Sequence, residues 1–326
     1  YRYGRGGSFH ITPNNVPANI LYSMAFGLLT GNPTVIRVSI NSLESLRFIF
    51  YELEFLLSNK KYKDLEKYIS IINYDRDQKM NEHLSINSSS RLIWGGDNTI
   101  NHFKKYKTKL DCIDLTFPNK KSTAIIDLES LEKISEENKK KLIEHFSRDI
   151  ATFSQKACSS PFFIFTLERS DKKIGNKLLE CFFLDIDKFL TKKFSLEIPS
   201  RDNFKSSINL ILEGKNSIET LYKGDKLYVG KVQKNNIHNF YNFQQGFACL
   251  CVVELNSINE ISKYLVNNNQ TVTLFPFEEK MINKIIPIIG PLGSNRIVKT
   301  GDALNMNLYW DGYDIVSSLS KFIRTS

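Results

Sequence analysis

The hydrophobic pattern of the first third of the chain switches repeatedly between short strand-like runs and helical spacing. Residues 8–12 form one such run. Pro13-Asn14-Asn15-Val16-Pro17 then makes a turn, because Asn and Pro accept loop dihedrals. Ile20, Leu21, Met24 and Leu28 recur at helical spacing up to Gly31-Asn32, a natural helix stop. Residues 34–39 are β-branched. Ser42 is placed to cap a helix whose apolar positions are Leu46, Ile49, Phe50, Leu53, Leu56 and Leu57. Residues 69–73 and 91–94 read as further strands, the latter closed by Gly95-Gly96-Asp97 and a short helix. Strand and helix in alternation predict βαβ units, and hence an open, mostly parallel sheet covered on both faces.

The same alternation continues downstream. Residues 122–127 are strand-like, and Leu142, Ile143, Phe146, Ile150 and Phe153 share one face of a charged helix. That helix delivers the chain to Ala157-Cys158-Ser159-Ser160-Pro161 and an apolar strand over 162–166. A helix follows over 173–190, with Leu178, Leu179, Phe182, Phe183, Ile186 and Phe189 apolar. Residues 196–245 show no regular period. Strands are expected over 247–254 and 271–275, around a helix at 258–265. In the tail, Trp310-Asp311-Gly312 has the look of a helix start with Asp311 as its cap. The fold class is therefore α/β, with two α/β domains.

Composition adds constraints. The chain has 326 residues, 41% hydrophobic and 24% charged, ordinary for a globular protein with two real cores. No apolar run has the length of a membrane span. Cys112, Cys158, Cys181, Cys249 and Cys251 are odd in number and scattered, which argues for reduced thiols in the cytoplasm rather than a disulfide framework. Cys249 and Cys251 share a strand face, but no other Cys or His pair has ligand spacing, so no metal is expected. The net charge of +9 is spread among acids, as on a solvated lysine-rich surface, and no nucleic-acid-binding signature accompanies it.

In an open parallel sheet, ligands sit beyond the carboxyl ends of the strands. Topology therefore brings together the turn at Pro13-Asn14-Asn15, Arg37-Val38-Ser39, and Gly95-Gly96-Asp97. Glycines there let backbone approach a pyrophosphate, and a following helix offers N–H donors. Gly4-Arg5-Gly6-Gly7 is discounted as a phosphate loop because a strand follows it, not a helix. Cys158 lies between a helix and a strand, where a nucleophile has access and local dipoles. A lone cysteine between small residues is more often a buried small hydrophobe.

Taken together, these segments resemble the aldehyde dehydrogenase superfamily, and within it the acyl-CoA reductase (LuxC-like) branch, the fatty-acid reductases of bacterial bioluminescence. The resemblance rests on residues 10–17, 28–32, 35–39 and 94–97, then on Ala157-Cys158-Ser159-Ser160-Pro161 and Trp310-Asp311-Gly312-Tyr313, all in the expected order. It spans essentially the whole chain. Such proteins carry a segment before the first motif, so the abrupt start implies a disordered or cut N-terminus, or a shortened relative.

The resemblance implies a nicotinamide-cofactor domain over 1–154, a catalytic domain over 155–292 and a C-terminal segment, 293–326, packing back on them. It also implies reduction of an acyl thioester, such as a fatty acyl-CoA, to an aldehyde. Cys158 is the implied nucleophile, and the Asn15 amide with the Cys158 N–H the oxyanion donors. Thr12, Pro13, Arg37, Ser39, Gly95, Gly96 and Asp97 are the implied cofactor residues. Arg37 stands where the superfamily more often has Lys, which suits a 2′-phosphate and favours NADPH over NADH. The base segment of hydrolytic relatives corresponds to Asp114-Leu115-Thr116-Phe117, which lacks its Glu and leaves Asp114 as a candidate. His10 is weighed as a packed strand residue or a group near the cleft, and Lys156 as a cation beside Cys158 or a solvated one. An acyl-protein synthetase and an acyltransferase are implied partners, in a homo-oligomer. Two other readings stand beside this one: CoA-acylating oxidation of an aldehyde, and a non-catalytic module that binds partners.

Overall fold

The computed structural model describes residues 1–325, except 14, 75, 76, 168–170, 215 and 266–268. In chain order the elements are β1 (Arg2–Gly4), β2 (Ser8–Ile11), α1 (Asn19–Leu29), β3 (Thr34–Arg37), α2 (Leu43–Ser58), β4 (Ile69–Ile72), α3 (Gln78–Asn87), β5 (Ser90–Trp94), α4 (Asp97–Lys104) and β6 (Ile113–Phe117). Then come β7 (Lys121–Ile126), α5 (Leu128–Lys133), α6 (Glu136–Ala151), β8 (Pro161–Leu167), α7 (Lys172–Lys193), α8 (Ser200–Gly214), β9 (Ile218–Lys223) and β10 (Tyr228–Val232). The chain closes with β11 (Cys249–Leu255), β12 (Asn269–Phe275), α9 (Glu279–Ile289), β13 (Arg296–Lys299), β14 (Tyr309–Trp310), β15 (Tyr313–Asp314), α10 (Ile315–Ser318) and β16 (Ser320–Phe322).

Two compact units result, residues 1–119 with 306–326, and residues 120–305. The first division thus falls after Asn119 and not at 154. The reason is pairing: β7 lies between β12 and β8 in the second sheet, so the chain has changed unit before α6. The stretch 293–326 is likewise split. β13 is an edge strand of the second sheet, whereas β16 pairs antiparallel with β1. Trp310, Ile315 and Leu319 pack with Phe26, Leu92, Trp94, Leu115 and Phe117 of the first unit.

The first unit holds a parallel sheet in the order β4-β3-β2-β5-β6. Its central strands β2 and β5 are buried along their whole length, as expected where helices cover both faces. From β2 the chain turns towards β3 and β4, and from β5 it turns the other way to β6. The crevice between the carboxyl ends of β2 and β5 is therefore a topological switch point. α2 buries Leu46 against Ile20, Ile36 and Val38, with Ile49 and Phe50 packed alongside, and its Ser42 makes no side-chain cap.

The second unit holds a sheet in the order β13-β12-β7-β8-β11-β10-β9, parallel except for β9. Alternate residues of one strand serve opposite cores, as a two-residue period requires. Ala124 and Ile126 face Leu142, Phe146, Leu179 and Phe183 of α6 and α7, while Ile125 faces the side of Leu210, Ile285 and Ile289 of α8 and α9. Residues 196–245, without period in the sequence, contain α8, β9 and β10.

The tail corrects one expectation. Trp310-Asp311-Gly312-Tyr313 is a tight β14–β15 hairpin, with Asp311 and Gly312 at φ 51° and 85°. The cap of the following helix is Asp314, whose carboxylate accepts from Ser317 N–H. Among the described residues, no helix is long and apolar enough to cross a membrane.

Candidate functional site

The switch point of the first unit gathers most of the expected cofactor residues. Thr12 follows β2 and bonds Arg37 twice, its N–H and its Oγ1 both donating to the Arg37 carbonyl at 3.1 Å. Gly95 and Gly96 follow β5, with Gly95 N–H donating to Phe117 O at 3.3 Å. Gly96 is the N-cap of α4 and offers no side chain, so the first-turn amides of that helix keep room for an anion. A Cβ at Gly96 would come within 2.9 Å of Asn119 Nδ2, so only glycine fits there without displacing a neighbour. Asp97, in the same turn, is exposed. Asn14 lies outside the described residues, while Pro13 and Asn15 stand in the turn between β2 and α1.

Arg37 ends β3 with its guanidinium 4.9 Å from the centre of the Tyr74 ring, and Nη2 donates to Tyr74 O at 3.5 Å. Its Nε is buried without a hydrogen-bond partner among the described residues. Burial raises the Tyr74 phenol to about 12, so the ring stays neutral beneath the cation. Ser39 has a local task as well, its hydroxyl accepting from Asn41 N–H at 3.3 Å. An uncapped helix start, a glycine cradle and an arginine with an unused donor suit a phosphorylated dinucleotide; Tyr74 is the member the sequence pattern did not flag.

Two candidates leave the chemistry. Asp114 faces Arg91 across the β5–β6 register, and its two oxygens accept from Arg91 Nε and Nη2 at 2.7 and 2.6 Å. Arg91 is almost wholly buried and also donates to Ser85 Oγ and Phe103 O. A carboxylate spent on a buried guanidinium is no poised base. His10 is fully buried, with Nε2 2.7 Å from Ser8 Oγ, and burial lowers it to about 3. It is a neutral packed residue.

The second unit carries Cys158. After α6 the backbone passes through Phe153, Ser154 and Gln155 in succession at φ 54°, 54° and 61°, the left-handed region that side chains other than glycine avoid. Phe247 and Ala248 do the same at φ 53° and 52°, and the two segments hold each other. Phe247 N–H donates to Ser154 O at 2.8 Å. The Gln155 amide, fully buried, donates to Pro161 O and Cys249 O at 2.9 and 3.1 Å and accepts from Cys249 N–H at 3.0 Å. Strain of this kind costs of order 1–3 kcal/mol per residue and persists only where the surroundings over-determine it.

The turn so fixed leaves Cys158 half-buried at the amino end of β8. Ser122 Oγ donates to Cys158 O at 2.7 Å, and Gln245 Nε2 to Ala157 O at 2.9 Å. Lys156 is exposed and lies 4.6 Å over the Phe247 ring. Another lysine, Lys121, is buried near this turn and was not singled out by pattern; its one signal is a charge opening an apolar strand. No disulfide joins any of the cysteines, and no cluster of metal-binding side chains exists among the described residues.

The family described as acyl-CoA reductase (LuxC) matches residues 1–325. A long-chain acyl-protein thioester reductase of Aliivibrio fischeri is 24% identical, over 98% of this chain and 63% of its own length. A protein of the same description from Photorhabdus laumondii subsp. laumondii is 23% identical, over 92% of this chain and 59% of its own length. The chain thus spans less than two thirds of these relatives. Among solved structures, PnpE from Pseudomonas sp. WBC-3 superposes with a TM-score of 0.68 at 16% identity, over 98% of this chain and 69% of its own. The NADP complex of GapN, a glyceraldehyde-3-phosphate dehydrogenase of Methanocaldococcus jannaschii, gives 0.67 at 15% identity, over 98% and 72%. The fold is that of the aldehyde dehydrogenases, and with residues 1–325 matched the chain belongs to the acyl-CoA reductase (LuxC) family of oxidoreductases.

Proposed function

We propose that this chain reduces a long-chain acyl thioester to the aldehyde with a reduced nicotinamide cofactor, through an acyl-cysteine at Cys158. The observation that carries the reading is the strained, clamped turn that leaves this thiol half-buried, in a member of a reductase family. The proposed carrier is a protein thiol, as in the names of these relatives, or CoA, as in the family's description.

Cys158 as thiolate attacks the thioester carbonyl, and a tetrahedral species forms with negative charge on oxygen. The Cys158 N–H and the Asn15 side-chain amide are the proposed donors to that oxygen. Losing one such donor typically costs about 2.7–4 kcal/mol of barrier. The tetrahedral species expels the carrier thiolate, which takes a proton from water, and the acyl group stays on sulfur. A reduced nicotinamide, when bound by the residues named below, would supply the hydride that reduces the acyl carbon. Collapse of the resulting thiohemiacetal anion re-forms the aldehyde carbonyl and returns Cys158 as thiolate. With Asp114 held by Arg91, no water-activating carboxylate is at hand in that segment, which favours reduction over hydrolysis.

Thr12, Pro13, Ser39, Gly95, Gly96 and Asp97 would hold the cofactor at the switch point, and Arg37 would meet a 2′-phosphate, favouring NADPH over NADH. An acyl-protein synthetase and an acyltransferase remain proposed partners, as does a homo-oligomer. A reactive thiol among cysteines that form no disulfide suits the reducing cytoplasm.

The test is incubation with a series of acyl-CoAs, with intact mass and NADPH oxidation followed together, against Cys158→Ala. An acyl adduct on wild type alone, discharged by NADPH, is expected. Absence of any adduct overturns the reading and turns attention to a partner-binding role.

A further inference from the structure

Lys121 opens β7 with its side chain inside the second unit, only 9% exposed. Its ammonium donates to Phe243 O at 2.6 Å and stands 4.7 Å from the centre of the Phe162 ring. Among the described residues no carboxylate pairs with it. A buried ammonium without an anion is costly, and burial lowers Lys121 to about 8. The groups whose negative charge it feels are Cys251 and Cys158. Cys251 is fully buried, and burial pushes its thiol well up, so it remains protonated. Cys158 is the half-buried one.

The surrounding bonds bind the lysine and the cysteine turn into one assembly. Ser122, next to Lys121, pairs with Pro161 in the β7–β8 register and holds Cys158 O. Ser122 Oγ also accepts from Thr271 N–H at 3.1 Å, which anchors it to β12. The segment whose Phe243 carbonyl grips Lys121 also sends Gln245 to Ala157 O.

We propose that Lys121 is the counter-cation of the Cys158 thiolate, a positioning residue that sustains the nucleophile before the acyl thioester arrives. The inference rests on Cys158 as nucleophile, but it can be tested without turnover. Ionisation moves one proton from sulfur to solvent water and no electrons. Burial lowers Lys121 to about 8, so most of its charge is present at neutral pH and its influence fades as pH rises through that value.

The experiment compares wild type, Lys121→Met and Lys121→Arg in alkylation of Cys158 by iodoacetamide, from about pH 5.5 to 9.5, read by peptide mass. Circular dichroism reports folding, and exposed Cys181 is the internal control. In Lys121→Met the midpoint for Cys158 is expected to rise by about one pH unit, a tenfold fall in alkylation at pH 7. Lys121→Arg is expected to stay near wild type. An unchanged midpoint in folded Lys121→Met overturns the proposal, as does an equal shift in Lys121→Arg or at Cys181. Should Lys121→Met not fold, the reciprocal measurement decides. Side-chain NMR of Lys121 in Cys158→Ala is expected to titrate at lower pH than in wild type, and an unchanged titration overturns the proposal. A shifted profile without acylation by any acyl-CoA would remove the proposed reaction and keep the Lys121 link; acylation with an unshifted profile would do the reverse.

Discussion

The side-chain amide of Gln155 pairs with the backbone of Cys249 as a strand residue would, donating to its carbonyl at 3.1 Å and accepting from its N–H at 3.0 Å. One polar side chain thereby ties the turn before Cys158 to β11. Replacing Gln155 by Leu leaves the Cys249 N–H and two carbonyls buried and unpartnered. Each such group costs about 1–3 kcal/mol. Urea unfolding should show a loss of several kcal/mol, and Cys158 should lose its acylation at temperatures where the protein remains folded. Retained acylation would show that the left-handed turn does not serve the thiol.

The Arg91–Asp114 pair predicts the opposite division between stability and chemistry. Asp114→Asn leaves a buried guanidinium without its anion, at a cost of about 3–5 kcal/mol. Acyl-adduct formation at Cys158, measured by mass well below the melting temperature, should persist. Loss of the adduct in the folded variant would reinstate Asp114 in the chemistry.

Arg37→Gln tests the 2′-phosphate. A bidentate charged contact is worth about 1.5–3 kcal/mol, so KM for NADPH should rise roughly 10- to 100-fold while KM for NADH changes little. Equal changes for both cofactors would place Arg37 elsewhere on the dinucleotide.

Stability should respond to pH with opposite sign in the two units. His10 in the first unit is lowered by burial to about 3 from an ordinary 6.5. The unfolded state then binds the extra proton between those values, and stability falls as pH drops through that window. Asp149 in the second unit accepts from Gly301 N–H and from Ala303 N–H at 3.1 Å, yet burial raises it to about 7. Here the folded state holds the extra proton, so stability falls as pH rises from about 4 towards 7. Urea midpoints measured across this range should lose their acid-side decline in His10→Phe and their rise on mild acidification in Asp149→Asn. Parallel curves for wild type and either variant would exclude that residue as the source.

Most of the helices and strands could be read from periodicity because burial imposes it. Strands β2, β3, β5 and β8 and helices α1, α6 and α7 lie where apolar spacing places them. The stretch holding α8, β9 and β10 could not be read this way. α8 buries Asn203, Ser206 and Ser207 beside Leu210 and leaves Phe204 and Leu212 exposed, so polar and apolar residues mix on both of its faces. At Trp310-Asp311-Gly312, a turn with two positive φ values carries the same residue types as a helix cap, and local chemistry alone does not separate them.

The sequence by itself determined the α/β class, the parallel first sheet with its switch point, and the segments that carry Thr12, Arg37, Gly95 and Cys158. These follow from period and turn chemistry, which are local. Only the tertiary structure decided where the units divide, that Asp114 answers Arg91, that His10 is packed, and that Gln155 and Lys121 close around the cysteine turn. Such facts depend on contacts between residues far apart in sequence, Gln155 with Cys249 or Lys121 with Phe243. No local pattern encodes them, because one side chain satisfies another only after the sheet has set its register.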